Sequence, residues 1–342
     1  MPTLKQHLAL ALSAFLLLGL SAVADELIMK DGSRLLGTVV KNDGASAFDF
    51  KTTYAGVITI KWTEVETLHA DKTITVLLKN GSSQQVSDAG QSASGMTTLT
   101  LAGTSKTFSV DEVAFFNPEP WRLGQAWSWT GNVNASLNFE RGNSKKDEYS
   151  ADFATVFRHI DDRIKLSGDY DRDTNKDNLT DDDWRFSSRY DHFVNDRLFY
   201  AASLGLEHDR FADLRLRTTV GPLLGYDVYE SKITNLDLAA GPIWVSEDFY
   251  DADSRDYLAF GWSVDFDHSL TPNSIQLYHR QEGLIDVDQT NNLVWNAWTG
   301  LRFPIYAGIV ASTEVKVEYD GAAGGDTDNT DTTYNLKLGY EW

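Results

Sequence analysis

From Trp127 to Trp342 apolar and polar residues alternate with period two in twelve stretches: 127–140, 148–160, 163–171, 183–194, 197–208, 214–228, 234–247, 255–268, 273–283, 291–304, 308–319 and 332–342. In the first, Trp127, Trp129, Val133, Ala135, Leu137 and Phe139 share one face and Ser128, Thr130, Asn132, Asn134, Ser136 and Asn138 the other. In the last, Tyr334, Leu336, Leu338, Tyr340 and Trp342 oppose Asn335, Lys337, Gly339 and Glu341. Successive side chains of a strand point to opposite faces, so this pattern predicts strands with one apolar and one polar side.

A soluble sandwich alternates in the same way, so the connections decide. Short links (Asp161-Asp162, Asn195-Asp196, 229–233, 269–272, 305–307) alternate with mostly longer polar ones (141–147, 172–182, 209–213, 248–254, 284–290, 320–331). Short turns on one side and longer loops on the other characterise outer-membrane barrels. The fold class predicted is therefore all-β, with a transmembrane antiparallel up-and-down β-barrel of about twelve strands over 127–342. Lipid offers no partner to a free strand edge, so the first stretch must pair with the twelfth. Trp127, Trp129, Tyr340 and Trp342 then lie at the periplasmic ends of the closing strands, where aromatic rings anchor a barrel at the membrane interface.

Residues 25–117 follow a different grammar of shorter alternating stretches broken by glycine, and they repeat. Leu27-Ile28-Met29-Lys30-Asp31-Gly32-Ser33 returns as Val76-Leu77-Leu78-Lys79-Asn80-Gly81-Ser82, and Ile60 to Val65 as Phe108 to Val113. Asp-Gly and Asn-Gly between apolar runs predict hairpins with type I′ turns. The expectation is a small SH3- or Sm-like periplasmic β module with an internal repeat. It either docks on peptidoglycan or another periplasmic protein, or serves as a folded spacer. Pro118-Glu119-Pro120 interrupts regular pairing and opens a linker over 118–126.

Lys5, the apolar run Leu8 to Leu20 and Ser21-Ala22-Val23-Ala24 read as a cleaved signal peptide over 1–24. The address predicted is the bacterial outer membrane, with the module in the periplasm. The 342 residues carry 50 Asp+Glu against 30 Lys+Arg, a formal net charge of −20, and no cysteine. This excludes disulfides and thiol chemistry, and argues against nucleic acid, whose binding rests on Lys and Arg neutralising phosphates.

The Lys-Asp-Gly-Ser hairpin, Trp62-Thr63-Glu64-Val65, Pro118-Glu119-Pro120-Trp121 and the ending Leu338-Gly339-Tyr340-Glu341-Trp342 together resemble the YdiY-like family of salt-induced outer-membrane proteins, a domain of unknown function. The resemblance covers roughly 127–342. It implies an outer-membrane barrel connected with salt or osmotic stress, and it carries over no functional residues. The alternating apolar C-terminal strand ending in Trp342 also resembles the signal read by the barrel-assembly machinery.

No H-E-x-x-H, P-loop or G-x-S-x-G motif is present, so no catalytic residue and no cofactor is assigned. His208 is the one histidine placed outward near an exterior loop, where a lipid-hydrolysing barrel enzyme would need it; pairing brings Trp184 and Asp182 beside it, not a serine. Carboxylates crowd three exterior loops, at Asp169 to Asp183, Glu247 to Asp253 and Asp320 to Asp331, but without EF-hand spacing no metal site is assigned. Loose contact with cations among lipopolysaccharide is expected there instead. The inward positions are more informative. Arg185, Arg189, Glu207, Arg215, Arg217, Asp237, Asp265, Arg302, Glu314 and Lys316 are predicted to line the lumen. Such charges either bias ion passage or pair across a narrow lumen and plug it. The functions left open are a narrow channel for ions or small solutes, and a non-conducting envelope-stabilising protein acting through its module.

Overall fold

The computed structural model describes residues 24–40, 42–43, 46–92, 97–142, 145–231, 233–270, 275–321 and 329–342, so the signal-peptide reading of 1–24 lies, but for Ala24, outside the described residues. The chain divides into two compact units, 1–119 and 120–342.

The first unit contains β1 (Asp25–Met29), β2 (Arg34–Val39), β3 (Asn42–Asp43), β4 (Ala47–Thr52), β5 (Gly56–Lys61), β6 (Val65–Leu78), β7 (Ser83–Gln91), β8 (Thr97–Leu101), β9 (Thr107–Ser109) and β10 (Val113–Phe116). They form one ten-stranded sheet in the order β5-β4-β2-β1-β6-β7-β8-β9, with β10 pairing β3 and β6. The sequence repeat is physical. Met29 N donates to Ser33 O as Leu78 N does to Ser82 O, each at 2.8 Å. Lys30 N reaches Glu64 O at 2.9 Å, and Lys79 N reaches Glu112 O at 2.8 Å. In both copies a 3-10 turn, Trp62–Glu64 and Val110–Glu112, precedes the closing strand.

The hairpin turns differ from the type I′ expectation. Gly32 and Gly81 have φ of 85° and 82°, whereas Asp31 and Asn80 are not left-handed. The Asp31 and Asn80 side chains accept from the Ser33 and Ser82 amides at 2.8 and 3.0 Å, a local turn that leaves positive φ to the glycine. Trp62 fills the core between Phe48 and Phe116, with ring centroids 4.1 and 5.0 Å away. Each repeat alone is too small to bury such a ring, and long β6 joins them.

The second unit is a closed antiparallel barrel of β11 (Ser128–Glu140), β12 (Lys146–His159), β13 (Asp162–Asn175), β14 (Asn178–Phe193), β15 (Leu198–Asp209), β16 (Leu214–Glu230), β17 (Thr234–Phe249), β18 (Arg255–Ser269), β19 (Gln276–Asp286), β20 (Leu293–Tyr306), β21 (Ile309–Asp320) and β22 (Thr330–Glu341). Each of the twelve alternating stretches holds one strand, residues 273–274 lying outside the described residues, and the first pairs the last, from Asn132↔Glu341 to Ala135↔Leu338. Gly131 and Trp342 exchange backbone bonds of 3.1 and 3.0 Å just below. We call the end bearing Ser128 and Glu341 the base and the opposite end the rim.

One connection departs from the expected pattern. Between β13 and β14 the chain turns on Lys176 and Asp177 alone, both at positive φ, where the sequence predicts a loop over 172–182. The polar residues there continue the pairing instead, Asp171↔Asp183 and Asp173↔Asp181. Alternation of residue type is not apolar against polar in this hairpin but charge inside and charge outside, so hydropathy does not reveal the strand.

The barrel is inverted relative to a soluble core. Leu137, Phe153, Leu224, Trp244, Phe260 and Leu336 stand exposed on the outside, while Asp191 and Glu247 are fully buried within.

Candidate functional site

Inward side chains meet across the lumen in two belts. In the belt nearer the base, Arg163 of β13 bonds Asp191 at 2.6 Å and Asp227 at 3.0 and 3.1 Å. Arg189 of β14 bonds Asp191 at 2.8 Å, Asp237 at 2.7 Å and Ser263 at 2.9 Å. Lys165 pairs with Asp237 and reaches Asp265 of β18, five strands round the barrel, at 2.9 Å. The guanidinium groups also stack: Arg163 lies 4.8 Å and Arg189 5.3 Å from the Phe199 ring.

The belt nearer the rim is built on β13–β17 and β21. Arg185 bonds Glu207 at 3.0 Å, lies 3.5 Å from Asp169 and pairs with Glu318 on the facing wall. Arg217 takes Glu207 and Glu247, each at 2.6 Å, and lies 3.6 Å from Asp320. Lys316 Nζ sits among Asp171 (2.8 Å), Glu318 (3.1 Å), Asp183 (3.7 Å) and Asp169 (3.8 Å). The oxygens of Asp169, Asp171 and Asp183 lie within 4.8 Å of one another, the spacing that suits a hard cation. The ammonium of Lys316 takes that position itself. Buried charges of this kind require partners, and the alternation of both signs on neighbouring strands provides them.

A cavity of about 470 Å³ is lined by groups of both belts, among them Lys165, Arg189, Glu207, Asp265, Arg280 and Arg302. Part of its wall is apolar: Leu223 and Ile243 belong to a lumenal cluster with Val245, Ala239, Ala259 and Leu284. Small inward residues at Ser203, Gly205 and Gly261 leave the space that the guanidinium groups cross.

The base carries a further obstruction. Residues Pro120–Leu123, within the stretch 118–126, form a 3-10 turn of the barrel unit. Trp121 is buried there, its carbonyl accepting from Ile160 N at 3.2 Å, and Arg122 lies 3.8 Å from Glu230 of β16. Arg158 inserts between the rings of Trp121 and Phe193, 5.4 and 3.7 Å from their centroids. The alternation of apolar and polar residues alone does not mark this layer. Phe193 and Phe199 fall on the inward register with Asp191 and Ala201, which was the available signal.

Of the predicted lumenal residues, Arg185, Arg189, Glu207, Arg217, Asp237, Asp265 and Lys316 meet in the two belts. Glu314 bonds Lys337 at 2.7 Å and Tyr278 at 3.0 Å, and Arg302 bonds Gln276 at 2.8 Å. Arg215 is the exception. A bulge between Leu214 and Leu216 reverses its side, so it stands outside and bonds Asp248 at 2.9 Å. An extra residue in a strand turns every side chain before it to the other face. The expected exterior acidic loop is also corrected: Asp169, Asp171 and Asp183 are strand residues turned inward. Asp326 and Asp328 lie outside the described residues.

Trp127, Trp129, Tyr340 and Trp342 stand on the outer surface at the base, with Trp129 against Trp342 at 5.4 Å and Trp127 stacked on His159 at 5.0 Å. His208 stacks on Trp184 at 6.0 Å, and its Nδ1 lies 2.9 Å from the carbonyl of Arg215.

A family model described as "Protein of unknown function, DUF481" matches residues 133–342. No curated protein matches the chain. Among solved structures, the barrel is similar to the NanC porin, at 10% identity over 62% of this chain and 98% of that one, with a TM-score of 0.39. The outer membrane channel DcaP of Acinetobacter baumannii aligns at 12% identity over 93% and 94% of the two chains, TM-score 0.31. The CymD monoaromatic hydrocarbon channel aligns at 10% identity over 65% and 82%, TM-score 0.31.

Proposed function

The chain belongs to the DUF481 family of proteins of unknown function, and from its geometry we propose that it is an outer-membrane barrel forming a narrow channel for ions or small solutes. The apolar outer face, the aromatic residues at the base and the closed backbone pairing support residence in a bilayer, where free edges are not tolerated. In this reading the base faces the periplasm with the N-terminal module, the rim faces lipopolysaccharide, and the β22 strand is the handle for the barrel-assembly machinery.

One observation carries the function: ion pairs cross the lumen at two levels, Lys165–Asp265 and Arg185–Glu318, and a cavity of about 470 Å³ lies among the groups that make them. A lumen so divided passes small solutes past movable side chains and excludes bulk flow. The rim half holds Asp169, Asp171, Asp173, Asp181, Asp183 and Glu318 against fewer cations, which favours cation entry.

The experiment is single-channel recording of residues 25–342 refolded into planar bilayers. Small discrete steps with cation preference, growing with salt faster than bulk conductivity, are expected. Silence from folded protein overturns the channel. It would favour an envelope-stabilising barrel that works through the module, by contact with peptidoglycan or a periplasmic protein.

A further inference from the structure

The closing seam is unlike every other junction of the barrel. Neighbouring strands pair over ten or more positions, but β11 and β22 pair only from Asn132↔Glu341 to Ala135↔Leu338, with Gly131 and Trp342 below. Both strands run on towards the rim, to Glu140 and Thr330, keeping their outer partners β12 and β21 but not each other. The outer lips of this unzipped stretch are Leu137, Phe139, Tyr334 and Leu336, all exposed and apolar. Its inner side carries Ser136, Asn138, Asn335 and Thr333, which are uncharged.

Just above the last paired residues, a clasp spans the seam from within. Lys337 of β22 bonds Asp152 of β12 at 2.5 Å and Glu314 of β21 at 2.7 Å, and Asn134 Nδ2 joins the same Asp152 at 2.7 Å. At that level, among the described residues, three buried polar atoms have no hydrogen-bond partner: Asn134 Oδ1, Ser312 Oγ and Arg302 Nε. They form a row, because Arg302 pairs with Ser312, Ser312 with Lys337, and Gly339 with Asn134. Orphaned buried polar groups cost free energy and call for an explanation, and a row of two donors and an acceptor beside a cavity is a place for a polar head. Asn132, Arg302, Glu341 and Trp342 of this region line the cavity, whose wall includes Leu223 and Ile243.

We propose that the rim half of the β11–β22 seam is a lateral portal, through which an amphiphile with one hydrogen-bonding head and an apolar body passes between bilayer and cavity. The apolar lips accept the body from lipid, the orphaned row takes the head, and the Lys337–Asp152 clasp is the latch. This route enters the cavity from the side, without passing along the axis that the two belts cross. It rests on the membrane placement proposed above and names the substrate class of that channel.

The test uses cells displaying the full chain in their outer membrane, with N-phenyl-1-naphthylamine as probe; its rings are apolar and its arylamine N–H suits Asn134 Oδ1. The chain has no cysteine, so Asn138→Cys/Asn335→Cys places a single pair across the unzipped stretch, joined by oxidation or by a short bifunctional maleimide. Joining the strands should lower probe entry to that of cells without the barrel, and reduction of the disulfide should restore it. Asp152→Asn, which frees the latch while keeping the side-chain volume, should raise entry. Heat-modifiable migration on gels checks that each variant is folded. Equal entry in joined and free forms overturns the portal, and persisting ion steps in bilayers would then leave the channel standing. Controlled probe entry with no ion steps supports the portal and overturns the ion channel.

Discussion

Lys165 Nζ stands 2.9 Å from Asp265 Oδ2, so a side chain of β13 holds a carboxylate of β18 on the far wall. This pair crosses the lumen, and Lys165→Met removes it while keeping most of the bulk. Both side chains are part-buried, so stranding the carboxylate costs about 2 kcal/mol, between the surface and the buried limits. The variant should melt earlier and conduct in larger steps, with a reversal potential shifted towards cation selectivity.

Lys316 supplies the cation among Asp169, Asp171 and Asp183. Lys316→Met leaves three carboxylates with no ammonium between them, a donor set suited to Ca²⁺. Calcium should raise the melting temperature of this variant and leave the parent unchanged. Equal responses of the two proteins would contradict the account of Lys316 as a built-in counter-ion.

The base layer makes a separate prediction. Trp121→Ala removes the ring over which Arg158 and Arg122 lie. Access from the base should widen, so current should rise more when the driving force enters from that side. A symmetric rise, or none, would assign Trp121 a purely structural part.

The module carries a pH signature of its own. His69 Nδ1 lies 2.6 Å from Asp88 Oδ1, and this hydrogen bond, with the carboxylate's charge, raises the His69 pKa above its ordinary value. Burial pushes Asp88 up, but the Ser87 hydroxyl and His69 outweigh it and hold the carboxyl below its usual range. The pair's contribution is complete below about pH 6.5 and is lost as pH rises through the raised His69 value. At the acid end it survives until pH falls through the lowered Asp88 value. Both groups are largely exposed, so the contribution is about 0.5 kcal/mol. In NMR titrations His69 should titrate above an ordinary imidazole, and Asp88→Asn should return it to the normal range.

Strand count, closure and the inward register of most lumenal charges were legible because a half-buried strand writes its two faces into alternate residues. Arg215 shows where this ends: a single bulge reversed it, and nothing in the residue string marks an extra position. The Lys176-Asp177 turn shows the same limit, since charged residues on both faces erase the hydropathy signal. Which charges meet was not legible either. Lys165 and Asp265 are neighbours only through closure of the ring, a relation that no local pattern contains. Pro118-Glu119-Pro120 marks the boundary, but nothing in that punctuation tells that Trp121 just beyond is buried, its carbonyl bonded to Ile160 N.

Eleven of the barrel's twelve ladders join strands adjacent in sequence, so each needs only local chain closure. The β11–β22 ladder alone must gather the two extremes of the barrel, so it bears the loop-closure entropy of everything between them. Being also the shortest, it is the last ladder to form during assembly and the first to part under thermal fluctuation. The amides of Val133 and Ala135 should therefore exchange with deuterium ahead of those in the β16–β17 hairpin, and the order of birth of the barrel can be read backwards from the order in which its amides become exposed.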